Sequence, residues 1–558
     1  MFPLNANNFI ELLSSPNVFI YLTIALLNAT LLIFASLKFV LTLQQTGYHG
    51  KRYFKWLSSP ETPYLKRLML LCLMGFLFFC VLNTCFTPIV GESISSFIGF
   101  TSYLLFTVMY IKTESAVNAK VPLRATYRII RLMITYFVLL VVATFGLVML
   151  LDYLALVLND QVVAIMRYAP ICLMPILLPY LLFIAYSINQ PIEYFIRQGY
   201  INKTKRKLST LNLTKIAITG SYGKTSVKEI LKTLFSQKYR VLSSPKSYNT
   251  PLGIARAVKG LDGTHDIFIA EFGARCTGDI KYLTDIVKPD IAVLTGVNNQ
   301  HLESFGDIEN TKNTKFELFE NMADGGKGFF SADNEYSVEL YKKFNGKKQI
   351  AGLSGEDNLV TASDVTLSEK GTTFTLKIKG EEPIVCETIL LGEHNVSNIC
   401  LASAVAYSVG MTKEEIAQGI NRLVSVEHRL ELMPNQKKIV IIDDSYNSNE
   451  NGVKAAMKVL DAFSGRKIIL TPGLIELGKD ENVANYKVGA LMAKHADVMI
   501  IIGKHNAEML ISGLTENGFN KDNILFATSL KKGNALLNEI MKEGDVVLFE
   551  NDLPDNYS

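Results

Sequence analysis

Eight residues of this chain have the types and spacing to hold a polyphosphate: Thr219-Gly220-Ser221-Tyr222-Gly223-Lys224-Thr225-Ser226. The apolar run Ile216-Ala217-Ile218 precedes them, and a helical pattern from Val227 to Phe235 follows. Strand, glycine turn, lysine, hydroxyl and helix make a phosphate cradle. The glycines let backbone N–H groups approach anionic oxygens, and the helix N-terminus adds its dipole. Lys224 can neutralise the charge of β- and γ-phosphates, and the Thr225 hydroxyl can hold Mg²⁺. A chance glycine turn would lack the strand and helix on either side. The spacing departs from a Walker A loop, which has four residues between its first glycine and its Gly-Lys pair; Ile218 stands where that glycine belongs.

Further stretches carry groups suited to the same chemistry. Glu271-Phe272-Gly273-Ala274 ends a predicted strand. A carboxylate at the carboxyl edge of an α/β sheet can complete the coordination of a Mg²⁺ held by Thr225, although a glutamate there can also be simply solvated. Thr295-Gly296-Val297-Asn298-Asn299-Gln300-His301-Leu302-Glu303 brings a histidine and an acid close behind another strand. Lys315-Phe316-Glu317 lies on a helical stretch beginning near Asp307; taken alone, Lys315 reads as a surface lysine. Gly392-Glu393-His394-Asn395-Val396-Ser397-Asn398 precedes an alanine-rich helix. The amides of Asn395 and Asn398 offer both a donor and an acceptor, as an adenine edge requires, while a helix-capping role is the alternative for Asn395. Beyond residue 425 come Glu427-His428-Arg429-Leu430, then Asp443-Asp444-Ser445-Tyr446-Asn447-Ser448-Asn449, then Glu476-Leu477-Gly478.

In order and spacing these stretches, covering roughly residues 208–510, resemble the Mur ligase family, ATP-dependent amide-forming enzymes of the bacterial cell wall. The resemblance is strongest to members that add D-alanyl-D-alanine to a muramyl tripeptide. It implies that Gly220, Ser221, Tyr222, Gly223, Lys224, Thr225 and Ser226 bind ATP with Asn395, Asn398, Arg429 and Asp444. It also implies two Mg²⁺ ions, held by Thr225, Glu271, His301 and Lys315. The family's matching lysine is carbamylated by CO₂, which turns an ammonium that cannot ligate a metal into an anionic oxygen donor. Lys312 is the alternative position for it. Lys224, Lys315 and His301 are then the catalytic groups, and Tyr446 and Asn447 line the substrate cleft.

The elements that must position these groups alternate strand-like and helix-like runs. Strands are predicted at Lys215–Ile218, Ile267–Glu271, Ile291–Thr295, Ile439–Asp443, Lys467–Leu470, Val498–Ile502 and Val546–Phe549. Their β-branched, two-sided apolar character suggests parallel sheets covered on both faces. About 350 residues exceed one core, so two α/β domains are expected, a P-loop domain over 208–425 and a Rossmann-like domain over 426–558. Val365 to Glu382 reads as a β-hairpin insertion turning at Lys370-Gly371.

The first third has another composition. The mean hydropathy of the 558 residues is +0.22, and the apolar residues crowd into the first 190 positions. Five runs are long enough to cross a hydrocarbon core: Val18–Leu37, Leu68–Val90, Ile94–Ile111, Leu132–Leu151 and Tyr168–Ile188. An α-helical membrane domain over 1–190 and a basic linker over 191–207 follow. The first run lacks a basic n-region and precedes four more, so it does not read as a cleaved signal peptide. Lys51, Arg52, Lys55, Lys66 and Arg67 fill one loop, and Lys112, Lys120, Arg124, Arg128 and Arg131 another. Arg197, Lys203, Lys205, Arg206 and Lys207 follow the last run, whereas Glu92, Asp152 and Asp160 mark the alternate ends, with Arg167 the lone basic exception. The positive-inside rule then puts the N-terminus outside and the catalytic domains in the cytoplasm of a bacterial plasma membrane. These basic clusters suit topology and anionic headgroups, not nucleic acid. Pro170, Pro175 and Pro179 kink the fifth run, either as a packing irregularity or to line a groove for a lipid substrate. The seven cysteines show no C-x₂-C spacing, so neither zinc nor a disulfide framework is expected.

Two departures from the family concern the substrate. Membrane spans replace the N-terminal domain that holds a UDP-sugar. The last strand runs into Glu550-Asn551-Asp552, where the dipeptide-adding members carry a Lys-Gly-Ser-like turn. The expected activity is therefore that of a membrane-anchored, ATP-dependent ligase. It would join a small amine or amino acid to a carboxylate, through an acyl phosphate, on a lipid-linked or polymeric envelope acceptor. A polymerising ligase of the poly-γ-glutamate type is one alternative, and an ATPase-coupled transporter or membrane scaffold another.

Overall fold

The computed structural model describes residues 17–59, 64–115, 122–158, 169–245, 248–298, 307–433, 438–446, 449–475 and 481–551. The chain divides into two compact units, Met1–Ile196 and Arg197–Ser558.

Long apolar helices make up most of the first unit: Asn17–Ala35, Tyr64–Val90, Glu92–Ser115 and Tyr127–Leu158. A fifth apolar run starts as a 3-10 helix, Ala169–Leu177, and passes into the helix Leu178–Thr210. Among the described residues, these five are long and apolar enough to cross a membrane. The 3-10 stretch contains Pro175, and Pro179 follows at the start of the α-helix. Proline lacks the N–H that a regular α-helical turn would use there. The hydroxyls of Tyr53 and Tyr136 donate to the carbonyls of Pro179 (3.3 Å) and Leu178 (3.1 Å) at that junction. The helix then continues through Pro191, so the basic segment 191–207 is helical. Asn28 ties three helices together: its amide donates to Thr144 (3.1 Å) and its carbonyl oxygen accepts from Tyr103 (2.8 Å). Asp152, expected at an outer interface, is instead buried, because its helix runs on to Leu158. Phe19, Ile89 and Phe97 are more than two-thirds exposed, an apolar exterior suited to hydrocarbon.

The second unit holds two sheets. The larger has the order β2-β3-β1-β4-β5-β6-β7-β8-β9, with β1 Thr214–Thr219, β2 Val241–Ser243, β3 Ile267–Glu271, β4 Ile291–Leu294, β5 Lys327–Ser331, β6 Lys347–Ala351, β7 Val360–Ser368, β8 Gly371–Ile378 and β9 Ile384–Thr388. Its first seven strands are parallel, and β8 and β9 follow as antiparallel pairs, β7 with β8 and β8 with β9. The predicted hairpin is therefore a continuation of this sheet, with its turn at Glu369-Lys370 and Gly371 already paired to Ser368. β1 lies between β3 and β4, so the chain leaves it in both directions and opens a crevice beyond its carboxyl end. The helix Lys224–Phe235 covers this sheet with Val227, Ile230, Leu231, Leu234 and Phe235, at the spacing of one helical face.

The smaller sheet has the order β10-β11-β15-β12-β13-β14, with β10 Glu431–Met433, β11 Val440–Asp444, β12 Lys467–Thr471, β13 Val498–Ile502, β14 Ile524–Ala527 and β15 Val546–Glu550. Only β10 is antiparallel. All seven predicted strands are present across the two sheets.

Candidate active site

The phosphate loop emerges from the buried end of β1. Gly220 has φ +154° and Gly223 φ +75°. A side chain at Gly220 would collide with Thr295 Oγ1, and one at Gly223 would sit 3.0 Å from Asn398 Oδ1. Only glycine fits both the space and the backbone at these positions. Ser221 N–H donates to the Gly296 carbonyl (2.7 Å), and Asn298 N–H donates to Ser221 Oγ (3.2 Å), so the segment after β4 braces the loop. Thr295, not singled out from the sequence, donates through its hydroxyl to the Tyr222 carbonyl.

Lys224 begins the helix and folds back on the loop, donating to the carbonyls of Gly220 (2.7 Å) and Ser221 (3.1 Å). Desolvation lowers its pKa to about 8, against the opposing pull of Glu271. Thr225 Oγ1 donates to Glu271 Oε2 at 2.9 Å. Glu271, at the carboxyl end of β3, is 2% exposed, and its Oε1 accepts from Asn249 Nδ2 (3.2 Å). A hydroxyl and a carboxylate oxygen side by side are hard donors. They fit a Mg²⁺ that draws its other ligands from phosphate and water. No group of three or more His, Cys, Asp or Glu side chains among the described residues could hold a metal without such help.

The helix Ile308–Asn321 separates the two candidate lysines. Lys315 is 4% exposed, and burial together with the charge of Lys224 lowers its pKa to about 7. Lys312 lies on ion pairs with Glu309 and Glu339. Burial works against its charge, but those two carboxylates raise its pKa overall. Glu317 caps the neighbouring helix Asp279–Val287, accepting from the N–H groups of Gly278 (2.8 Å) and Lys281 (2.9 Å). His301 lies outside the described residues.

A small pocket beside the helix Lys224–Phe235 is lined by Ser226, Glu229, Ile230, Asn395, Val426 and Arg429. Asn395 is buried, and its amide donates to the Leu391 carbonyl (2.8 Å). The helix cap is Gly392, not Asn395. The Arg429 guanidinium lies 4.6 Å from the centroid of the half-exposed Tyr446 ring. Burial raises the pKa of Asp444, at the end of β11, to about 6, while Arg429 opposes the shift. Asp444 Oδ1 also accepts from Leu430 N–H (3.2 Å). Asn447 and Glu476-Leu477-Gly478 lie outside the described residues.

Comparison with known proteins gives this arrangement its family. The Mur ligase middle domain matches residues 218–406, and the Mur ligase glutamate ligase domain matches 428–550. The UDP-N-acetylmuramoyl-tripeptide–D-alanyl-D-alanine ligase of Buchnera aphidicola is 31% identical over 330 residues, 59% of this chain and 71% of that one. The chain belongs to the Mur ligase family. Mur ligases are ATP-dependent amide ligases, which makes this chain a carbon–nitrogen ligase. Two solved structures share the fold. The Acinetobacter baumannii MurF has a TM-score of 0.58 and 24% identity, covering 64% of this chain and 77% of that one. The Thermotoga maritima MurF ligase, solved with ADP, has a TM-score of 0.57 and 24% identity, covering 64% and 80%. The Mur ligase match begins at residue 218, after the five apolar helices.

Asn249 and Lys228 were not singled out from the sequence. Asn249 had a local signal: Thr250-Pro251 after it is a helix start, with Thr250 accepting from Gly253 N–H and proline in the first turn. Lys228 had none.

Proposed function

We propose that this protein is a membrane-anchored ligase that activates a carboxylate of an envelope substrate with ATP and joins an amine to it. The proposal assigns a membrane domain to 1–190, a basic linker to 191–207, an ATP-binding domain to 208–425 and a closing domain to 426–558. The observation that carries it is the Thr225–Glu271 hydrogen bond beside Lys224 at the carboxyl edge of β1 and β3, within a Mur ligase fold. Lys224 would exchange the carbonyls of Gly220 and Ser221 for phosphate oxygens, and Gly220 to Ser226 would wrap the polyphosphate. Asn395 and Asn398 would hold the adenine, Arg429 the phosphates or ribose, and Asp444 a ribose hydroxyl or the magnesium. Thr225 and Glu271 would hold one Mg²⁺, and His301 with a carbamylated Lys315 a second. Bound magnesium would stabilise charge developing on the phosphoryl oxygens.

The substrate carboxylate would attack the γ-phosphorus, forming an acyl phosphate and releasing ADP. The amine would then attack the acyl carbon, losing a proton as phosphate leaves. Tyr446 and Asn447 would face this reaction, and closure of the second domain would keep water from the acyl phosphate. The apolar helices support a lipid-linked or polymeric acceptor over a soluble sugar nucleotide. The N-terminus would lie outside and the catalytic domains in the cytoplasm.

The test compares lipid-extractable and wall glycopolymers by mass spectrometry in cells with and without the protein. Loss of one amide-linked residue on a carboxylated polymer or lipid supports the reading. A lost ladder of products would instead favour a polymerising ligase. Unchanged glycopolymers, with ADP release that Lys224→Ala leaves intact, would overturn it.

A further inference from the structure

Lys228 is fully buried, with no exposed area. It lies four residues after Lys224 and three after Thr225, on the same side of their helix. Its Nζ stands 3.3 Å from Glu229 Oε1 and 3.8 Å from Glu271 Oε2. That Glu271 oxygen is also the one that accepts the Thr225 hydroxyl. A buried ammonium is a poor way to fill a helix–sheet interface, where an apolar side chain of similar volume packs at least as stably. Of its two carboxylate partners Glu229 is nearer but part-exposed, so Glu271 is the buried one the ammonium faces beside Thr225.

Glu271 is thus engaged from several sides: by the Thr225 hydroxyl, the Asn249 amide and the Lys228 ammonium, with the Lys224 charge close enough to be affected by it. A free divalent cation arriving at the Thr225–Glu271 pair would meet two ammonium groups. A cation arriving with a polyphosphate would bring negative charge to offset both. We propose that Lys228 is a positioning residue that occupies Glu271 electrostatically and withholds it from free magnesium, so that metal enters with the nucleotide. The inference rests on the nucleotide-site reading above.

The full-length protein in detergent provides the test. Mn²⁺ is the metal probe, its free concentration read by electron paramagnetic resonance, with and without ADP. Binding of a fluorescent ADP analogue without divalent metal is read separately. The wild type should take Mn²⁺ at this site at least about tenfold more tightly with ADP, within the ordinary range of coupling between sites. Lys228→Met should bind Mn²⁺ without nucleotide about tenfold more tightly than wild type, and Lys228→Arg should behave as wild type. A lysine with a packing role alone would lower the melting temperature of Lys228→Met and leave its metal affinity unchanged. Intact analogue binding with unchanged Mn²⁺ affinity in folded Lys228→Met overturns this inference and leaves the nucleotide site standing. Should Lys228→Met not fold, the wild type decides. Equal Mn²⁺ affinity with and without ADP, at a site abolished by Glu271→Gln, overturns the inference. Failure of the wild type to bind the analogue overturns the nucleotide-site reading and this inference with it.

Discussion

A lysine that adds to CO₂ must first shed its proton. An ordinary lysine at pH 8 is less than about 1% free amine. Lys315, with its pKa lowered to about 7 by burial and by Lys224, is mostly amine at that pH. Carbamate content, read by ¹³C nuclear magnetic resonance with labelled bicarbonate, should therefore fall as pH drops through 7, and ligase activity should fall with it. Lys315→Ala should lose at least about a hundredfold in rate, as for removal of a group that stabilises transition-state charge, and a small added carboxylate should restore part of it. Full activity in Lys315→Ala would end this assignment. Lys312→Ala, which removes the ion pairs to Glu309 and Glu339 and the contact with the Tyr336 ring, should leave the carbamate signal in place. The sequence left the two lysines open because they lie three residues apart on one helix; only the packing around each separates them. The phosphate loop needed no such help, since its glycines, lysine and hydroxyl are adjacent. Lys224→Ala and Thr225→Ala should each abolish substrate-dependent ADP release without altering the helical content of the first unit.

At the scale of elements, β1, its loop and the helix Lys224–Phe235 form one device, and Gly223 is the loop glycine whose nearest contacts on substitution are side chains alone. Gly223→Ala forces a Cβ into a positive-φ turn 3.0 Å from Asn398 Oδ1. Nucleotide affinity should drop about 5- to 150-fold, a loss measurable by calorimetry, for strain of about 1–3 kcal/mol. The helix Lys413–Ile420 offers a contrast, since its Glu415 carbonyl accepts from Gln237, beyond the far end of the helix that Lys224 begins. Its capping box pairs Thr412 with Glu415, and Thr412→Ala should cost about 1 kcal/mol of stability in denaturant titration with turnover unchanged. The strands the sequence revealed are the apolar, β-branched ones. β5, Lys-Gly-Phe-Phe-Ser, was not legible because glycine in a short run reads as a turn. In the fold, Gly328 lets the Phe319 ring approach the strand, a demand set by tertiary packing. β2 and β14 are edge strands of three and four residues, too short to stand out as runs in the sequence.

For the whole molecule, the division into an apolar helical part and an α/β part was plain from hydropathy. The extent of the fifth helix was not, because its polar half carries no apolar run and includes Gly199 and Asn202, residue types that often end a helix but do not end this one. The orientation rests on the alternation of basic loops. Ser558→Cys should react with an impermeant maleimide only after the membrane is opened. Labelling of intact cells would reverse the topology.

The order of the smaller sheet sets a condition on biosynthesis. β15, residues 546–550, lies between β11 and β12, both made more than seventy residues earlier. Those two strands cannot hydrogen-bond to each other in the finished sheet; each waits with a bare edge for the same late segment. Until residue 550 has cleared the ribosome, this half of the enzyme offers two unprotected strand edges to any neighbouring chain. A transcript cut short just before β15 should therefore yield a protein that clumps, a burden for quality-control proteases and not merely an inactive ligase.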